Sequence, residues 1–273
     1  AITNSDLGIT LLCHQCPSQA NNVMDQKGTS GPPAPVDSTS GLLARRLSHS
    51  LKSPYMTAPR SAAVFDLGGV LIDWNPRYLY RKLFQHEADM EYFLANICTP
   101  EWNLQQDAGR TFAEACATLK REKLGYAEMI DAWFERYDET MAGPIAGSVD
   151  LLAQLRDQEV PIYALSNWSA ETFPFARKRF EFLQWFRAIV LSAEVHLVKP
   201  DPRIFQRFCE KVALLPEQII YIDDLQHNVE AARRIGMYAI RFSDPATLRE
   251  ELVQLGLLRS EHASSPLKGV RDF

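Results

Sequence analysis

The sequence predicts an α/β fold, an open parallel sheet whose strands are separated by helices, with a helical cap inserted after the first strand. Three observations carry that prediction. Short apolar runs alternate with helical patterns from residue 62 onward. Several of those runs end abruptly in a carboxylate, hydroxyl or amide residue. One long interval, 76–147, breaks the alternation, with no good strand and several helical patterns. Strands separated by helices imply parallel pairing with right-handed crossovers.

The elements follow in order. Residues 1–58 show no sustained apolar period, and 28–41 is dense in Gly, Pro, Ser and Thr, so this stretch should not pack a core. It is expected to be disordered or non-native, with the functional chain starting near Met56. The first strand is predicted at 62–67. The cap follows at 76–147, with amphipathic helices at 76–86, 87–97, 111–123 and 126–141. In the last of these, Ile130, Trp133, Phe134 and Tyr137 repeat at helical spacing and form a face for the cap's own core. Ser148 is placed as the cap of a helix over 149–158, with Asp150 in its first turn. Further strands are predicted at 161–165, 188–191, 219–222 and 238–242. A helix over 228–235 stops at Gly236, and Asp244-Pro245 opens a final helix to about residue 255. The expected domains are a core of 59–75 and 148–260, the cap of 76–147, and a C-terminal tail of 261–273.

Composition narrows the function. The chain has 273 residues, 46% hydrophobic and 23% charged, which suits a globular protein with one or two cores. A net charge of -5 argues against nucleic acid as a partner, since a basic face would be expected. No apolar run approaches the roughly 20 residues that span a bilayer. Five cysteines, widely spaced apart from Cys13 and Cys16, read as reduced thiols of a cytoplasmic protein. The Cys13-His14-Gln15-Cys16 stretch lacks a second ligand pair for zinc.

Four stretches carry the chemistry: Phe65-Asp66-Leu67-Gly68-Gly69, Leu165-Ser166-Asn167, Lys199-Pro200-Asp201 and Ile222-Asp223-Asp224. In an open parallel sheet, ligands bind beyond the carboxyl ends of the strands, where strand order reverses. Asp66, Ser166 and the Asp223–Asp224 pair each follow a predicted strand, and Lys199 lies in the loop after another. Asp66 is ionised near neutral pH, its reference pKa being about 3.9, so it needs no base to act as a nucleophile. Mg²⁺ screens its repulsion from a phosphate monoester, and takes one or two carboxylates plus waters and phosphate. Asp224 accompanies Asp66 as ligand, with Asp223 beside it. Lys199 adds positive charge near the nucleophile. Ser166, Asn167 and nearby backbone N–H groups hold phosphate oxygens. Asn228 is placed against the metal loop, while His196 and His227 are read as loop residues. Trp102, Gln106, Asp107 and Arg110, in a helix-poor stretch of the cap, are candidates to meet the substrate.

With these motifs in this order, residues 62–245 resemble the haloacid dehalogenase superfamily, most of whose members are Mg²⁺-dependent phosphatases. The resemblance implies a Rossmann-like core, helices on both faces of its sheet, and a helical cap between the first and second motifs. It implies Asp66 and Lys199 as catalytic residues, and Asp66, Gly68 (through its carbonyl), Asp223 and Asp224 at the metal. The Asp-Leu-Gly start looks most like the family's bacterial sugar-phosphate phosphatases, those acting on α-D-glucose 1-phosphate among them. The expected substrate is a small phosphorylated metabolite, cleaved through an aspartyl-phosphate on Asp66 by a monomer or homodimer. The alternatives are a 2-haloacid dehalogenase or a non-catalytic phosphate-binding module.

One departure matters. The family's phosphatases place a second aspartate two residues after the nucleophile as general acid and base; here that position is Gly68. Three readings stay open: a substrate with a good leaving group such as an anomeric phosphate, a substitute group with Asp73 as candidate, or slow or lost catalysis.

Overall fold

The computed structural model describes residues 61–260. The two tails and the Cys13–Cys16 pair lie outside the described residues.

The first strand, β1 (Ala62–Phe65), is buried at every position. Its side chains alternate between two apolar clusters: Ala63 and Phe65 belong to one, Ala62 and Val64 to the other. A strand buried on both faces needs such a continuous apolar run. After a turn comes β2 (Ile72–Trp74). Five helices follow: α1 (Arg77–Tyr80), α2 (Glu87–Asn96), α3 (Pro100–Asp107), α4 (Phe112–Glu122) and α5 (Ala127–Glu135). A 3₁₀ turn at Tyr137–Thr140 leads into β3 (Met141–Pro144), which pairs antiparallel with β2. The remaining elements alternate: α6 (Ala146–Asp157), β4 (Ile162–Ser166), α7 (Phe173–Arg179), β5 (Ala188–Leu191), α8 (Ser192–Val195), α9 (Pro202–Val212), β6 (Ile219–Asp223), α10 (Gln226–Arg234), β7 (Tyr238–Arg241) and α11 (Pro245–Gln254).

The main sheet has the order β5-β4-β1-β6-β7, and all its pairings are parallel. The chain runs outward from β1 through β4 to β5, then crosses back to β6 on the other side of β1. Strand order therefore reverses around β1, which makes its carboxyl end the mouth of a crevice. Register sets the level of the mouth: Phe65 is opposite both Ala164 and Ile222, so Asp66 emerges beside Leu165 and Asp223.

Four local expectations are corrected. The interval 76–147 does contain a strand, β3, although Gly143 and Pro144 disguise it; it forms only because β2 offers a partner edge. The Trp102–Asp107 stretch is helical, not helix-poor: the Thr99 hydroxyl accepts from Trp102 N–H at 3.1 Å and Pro100 opens α3. The helix expected over 76–86 is only the short α1, and the one over 126–141 ends at Glu135. Ser148 does not cap α6. The pairing of β3 with the β2 region continues through Ile145 N–H to Leu71 C=O (2.9 Å), and the helix begins at once at Ala146. Ser148 is thereby carried into the helix, fully buried, with its Oγ unpartnered.

Ile130, Trp133 and Tyr137 are buried in the larger cluster, as a core face should be; Phe134 is partly buried against it. Gly236, at φ +99°, follows α10, and Asp244 caps α11 by accepting from Thr247 N–H at 2.9 Å. Cys98, Cys116 and Cys209 are free thiols. Among the described residues, no helix is long and apolar enough to cross a membrane.

Candidate active site

Among the described residues, the parallel register gathers buried charge at the end of β1. Asp66 Oδ1 accepts from Leu67 N–H and from Ser166 Oγ, both at 2.7 Å. Its Oδ2 lies 2.9 Å from Lys199 Nζ. Lys199, only 2% exposed, also donates to Asp223 Oδ2 at 2.8 Å and to the Leu165 carbonyl at 3.1 Å. Its ammonium is thus fixed between two carboxylates, and all three of its donors are used. The loop that carries it is clamped by Asn167, whose Oδ1 accepts from Lys199 N–H (2.8 Å) and whose Nδ2 donates to Lys199 C=O (3.0 Å).

Asp223 is fully buried. Its Oδ1 accepts from Leu225 N–H (2.9 Å) and Asn228 Nδ2 (3.1 Å). Its Oδ2 accepts from Lys199, Asn228 and the Tyr221 hydroxyl. Tyr221 escapes a motif reading. The available signal is its position two residues before Asp223 on the same strand, which puts both side chains on one face. Asn228 Oδ1 is buried without a partner.

The electrostatics follow from burial and pairing. Burial pushes Asp66 up to about 7 against the pull of Lys199. Burial also opposes the charge on Asp223, but Lys199 and the surrounding donors hold its carboxyl below the usual range. Lys199, though desolvated, stays above the ordinary lysine value because two carboxylates face it. Burial and the charge of Asp223 raise Asp224.

One oxygen each from Asp66, Asp223 and Asp224 lies within 4.8 Å of the others. Three converging carboxylates against a single ammonium leave negative charge that a hard cation would neutralise. Gly69 makes the approach of Asp224 feasible. It sits at φ +74°, and a Cβ there would stand 2.7 Å from Asp224 Oδ2.

A cavity of about 340 Å³ opens above these groups. Its walls include Trp74, Tyr137, Trp168 and Leu225 on the apolar side and Asn103, Asp107 and Asn167 on the polar side. Two recesses of about 480 Å³ are larger, but neither is lined by any of Asp66, Lys199, Asp223 and Asp224. The site is located by its charges, not by its size.

The sequence candidates divide accordingly. Asp66, Gly68, Ser166, Asn167, Lys199, Asp224 and Asn228 all line the cavity, and Asp223 lies directly beneath them. Asp73 does not line it; its carboxylate accepts from the Tyr78 hydroxyl at 2.9 Å. Of the four cap candidates only Asp107 reaches the cavity. Gln106 donates to Trp102 C=O and accepts from Arg110 Nε (2.6 Å), so those three bond one another. His196 Nδ1 donates to Ala108 C=O at 3.1 Å and is a loop residue, as its position suggested.

Comparison with known proteins agrees with this geometry. The chain is 27% identical over 194 residues to the sesquiterpene phosphatase of Aspergillus oryzae, covering 71% of this chain and 95% of that one. It is 25% identical over 188 residues to the validoxylamine A 7'-phosphate phosphatase of Streptomyces hygroscopicus subsp. limoneus, covering 65% and 83%. A haloacid dehalogenase family enzyme of Bacteroides thetaiotaomicron, solved with magnesium and inorganic phosphate, is 25% identical with a TM-score of 0.53 over 69% of this chain and 98% of its own. The sequence pattern described as haloacid dehalogenase-like hydrolase matches residues 63–242, so the chain belongs to that family and is a hydrolase of its class.

Proposed function

We propose that the protein is a Mg²⁺-dependent phosphatase that cleaves a small phosphorylated metabolite through an aspartyl-phosphate on Asp66. The observation that carries this reading is the Asp66 carboxylate, anchored by Ser166 and Lys199 at the strand exit within the three-carboxylate cluster. A carboxylate so fixed has lost little freedom still to be paid for at the moment of attack.

The roles follow from the bonds. Asp66 Oδ2 is the attacking oxygen, because Oδ1 already accepts two hydrogen bonds. Lys199 stabilises charge on the transferring phosphoryl group and keeps Asp66 oriented. Ser166, which ends β4, and Asn167, which follows it, border the space that phosphate oxygens would occupy. Asp66, Asp224 and the Gly68 carbonyl are the groups to hold Mg²⁺ directly. Asp223, with both oxygens engaged, anchors Lys199 and adds to the negative field. Bound there, the cation supplies screening of phosphate charge and Lewis-acid polarisation. Asn228 Oδ1, buried and unpartnered, leaves an acceptor free next to Asp223, to which its Nδ2 donates. The aromatic and amide walls of the cavity suit a sugar phosphate or an ester of similar size. The free thiols agree with a cytoplasmic setting.

Dialysis against EDTA is expected to abolish hydrolysis of p-nitrophenyl phosphate, and Mg²⁺ to restore it. Mg²⁺ should also raise Tm, since a ligand of the folded state alone stabilises it. Turnover of 2-chloropropionate that survives EDTA would instead mark a dehalogenase. Gly69→Ala is expected to weaken Mg²⁺ binding at least about tenfold by calorimetry. The added Cβ meets Asp224 at 2.7 Å, and the αL backbone costs roughly 1–2 kcal/mol in a non-glycine residue. Unchanged affinity would remove Asp224 from the metal site.

A further inference from the structure

We propose that Asp107, carried on the helical insertion, is the general acid and base of this site and takes the role that Gly68 cannot fill. The proposal rests on the phosphatase reading and extends it to the leaving group.

The titratable and charged side chains lining the cavity are few: Asp66, Asp107, Tyr137, Lys199 and Asp224. Asp66 is the nucleophile, Asp224 belongs to the carboxylate cluster, and Lys199 has its three donors committed. Burial holds the Tyr137 phenol far above its ordinary value, so it does not exchange protons near neutrality. Asp107 alone is left without a role in nucleophilic attack or in the carboxylate cluster.

Its surroundings fix it. Asp107 ends α3, and its backbone carbonyl accepts from Ser192 Oγ at 2.6 Å. The next residue is held by His196, and Gly109 turns the chain away at φ +104°. On the carboxylate itself, Asn103 Nδ2 donates to Oδ2 at 3.0 Å, and the Ser169 N–H also donates. Ser169 belongs to the loop that follows Ser166 at the end of β4, so the insertion and that loop are joined through this carboxylate. Burial, opposed by the Ser169 N–H and reinforced by the charge of Asp66, brings Asp107 up to about 7; Lys199 pulls slightly the other way. Near neutral pH both of its protonation states are populated, which suits an acid that must later act as a base.

The steps balance. As Asp66 Oδ2 bonds to phosphorus, the bond from phosphorus to the ester oxygen breaks, and the Asp107 carboxylic acid gives its proton to that oxygen, releasing the alcohol. A water then attacks phosphorus, the Asp66–phosphorus bond breaks, and the Asp107 carboxylate takes the water's proton. Inorganic phosphate leaves with both carboxyl groups in their starting states.

Gly68 supplies the test. A Cβ at this position would meet no heavy atom within 4 Å, and its φ is outside the left-handed region, so an acid can be restored there. The wild type, Asp107→Asn, Gly68→Asp/Asp107→Asn and Asp66→Asn are compared on p-nitrophenyl phosphate, a good leaving group, and glycerol 3-phosphate, a poor one, with Tm recorded for each. Asp107→Asn is expected to lose about 10²–10⁴-fold in kcat/KM on glycerol 3-phosphate and little in kcat/KM on p-nitrophenyl phosphate, while kcat falls on both because water attack on the aspartyl-phosphate is shared. Gly68→Asp is expected to recover much of that loss in the double variant. Equal losses in kcat/KM on both esters without recovery would make Asp107 a structural clamp and overturn the proposal, as would no loss on either. Should Asp107→Asn not fold, Asp107→Glu, which keeps the acid one methylene away, must retain the leaving-group dependence of the wild type. Activity surviving in Asp66→Asn would overturn the phosphatase mechanism itself, a separate result.

Discussion

Asp66→Asn is expected to lower kcat on every phosphate ester by on the order of 10⁴–10⁶-fold, the scale seen when a covalent nucleophile is removed. The amide is nearly isosteric and can still accept from Leu67 N–H and Ser166 through Oδ1, whose bonds are 2.7 Å each. It lacks the charge that attacks phosphorus in the proposed mechanism, and it removes one carboxylate from the three-carboxylate cluster. Because the change replaces a buried charge with a neutral group, a folded protein is expected, and circular dichroism and Tm separate chemistry from stability. Quenching wild-type turnover in acid should trap a phosphorylated peptide containing Asp66, absent from the variant. A variant within tenfold of wild type, or a trapped peptide that maps elsewhere, would end the covalent mechanism.

Lys199→Met carries the second large effect, and its main readout is stability. Lys199 lies 2.9 Å from Asp66 and 2.8 Å from Asp223, with side chains almost wholly removed from water. Its removal strands two buried carboxylates that face each other. Breaking a buried pair by deleting one partner costs about 3–5 kcal/mol, mostly the desolvation of what remains. Methionine fills most of the volume, so the loss will be electrostatic and not a cavity effect. Urea denaturation in EDTA should show that loss, and Mg²⁺ should recover part of it by neutralising the same carboxylates. The double variant Lys199→Met/Asp223→Asn should be more stable than Lys199→Met, since one stranded charge is gone. A single variant as stable as wild type would show that the ammonium is not the counter-ion of this site. Activity should fall as well, because in the proposed mechanism Lys199 both orients Asp66 and stabilises the transferring group.

Much of the fold was legible because its signals are local. The five strands of the main sheet are short apolar runs bounded by polar residues, and a strand buried on both faces must look that way. α11 announced itself through Asp244 and Pro245, which act within one turn. The misreadings arose where a remote partner decides the outcome. β3, with its Gly143 and Pro144, has little intrinsic strand character and exists because Ile72 and Asp73 offer it an edge. Ser148 looks like a helix cap, but pairing through Ile145 starts α6 earlier and leaves the hydroxyl inside.

The site divides in the same way. Asp66, Ser166 and the Asp223–Asp224 pair each stand at the end of an apolar strand, where a polar residue is costly unless paired, and Lys199 lies in a loop. Singly these are weak signals, and they become legible through the order of the four motifs in an alternating chain. Parallel pairing then brings them to one level, since register in such a sheet is common to all its strands. Asp73 was plausible on proximity in sequence alone, yet β2 turns it toward Tyr78. Asp107, Trp74 and Tyr137 belong to elements whose placement depends on how the insertion packs. The amino-acid order by itself determined the sheet, its family and the charged groups at its mouth, because these follow from local burial and chain polarity. Only the tertiary structure decided which residues of the insertion enclose those groups, Asp107 among them, because that depends on contacts between residues with no shared local pattern.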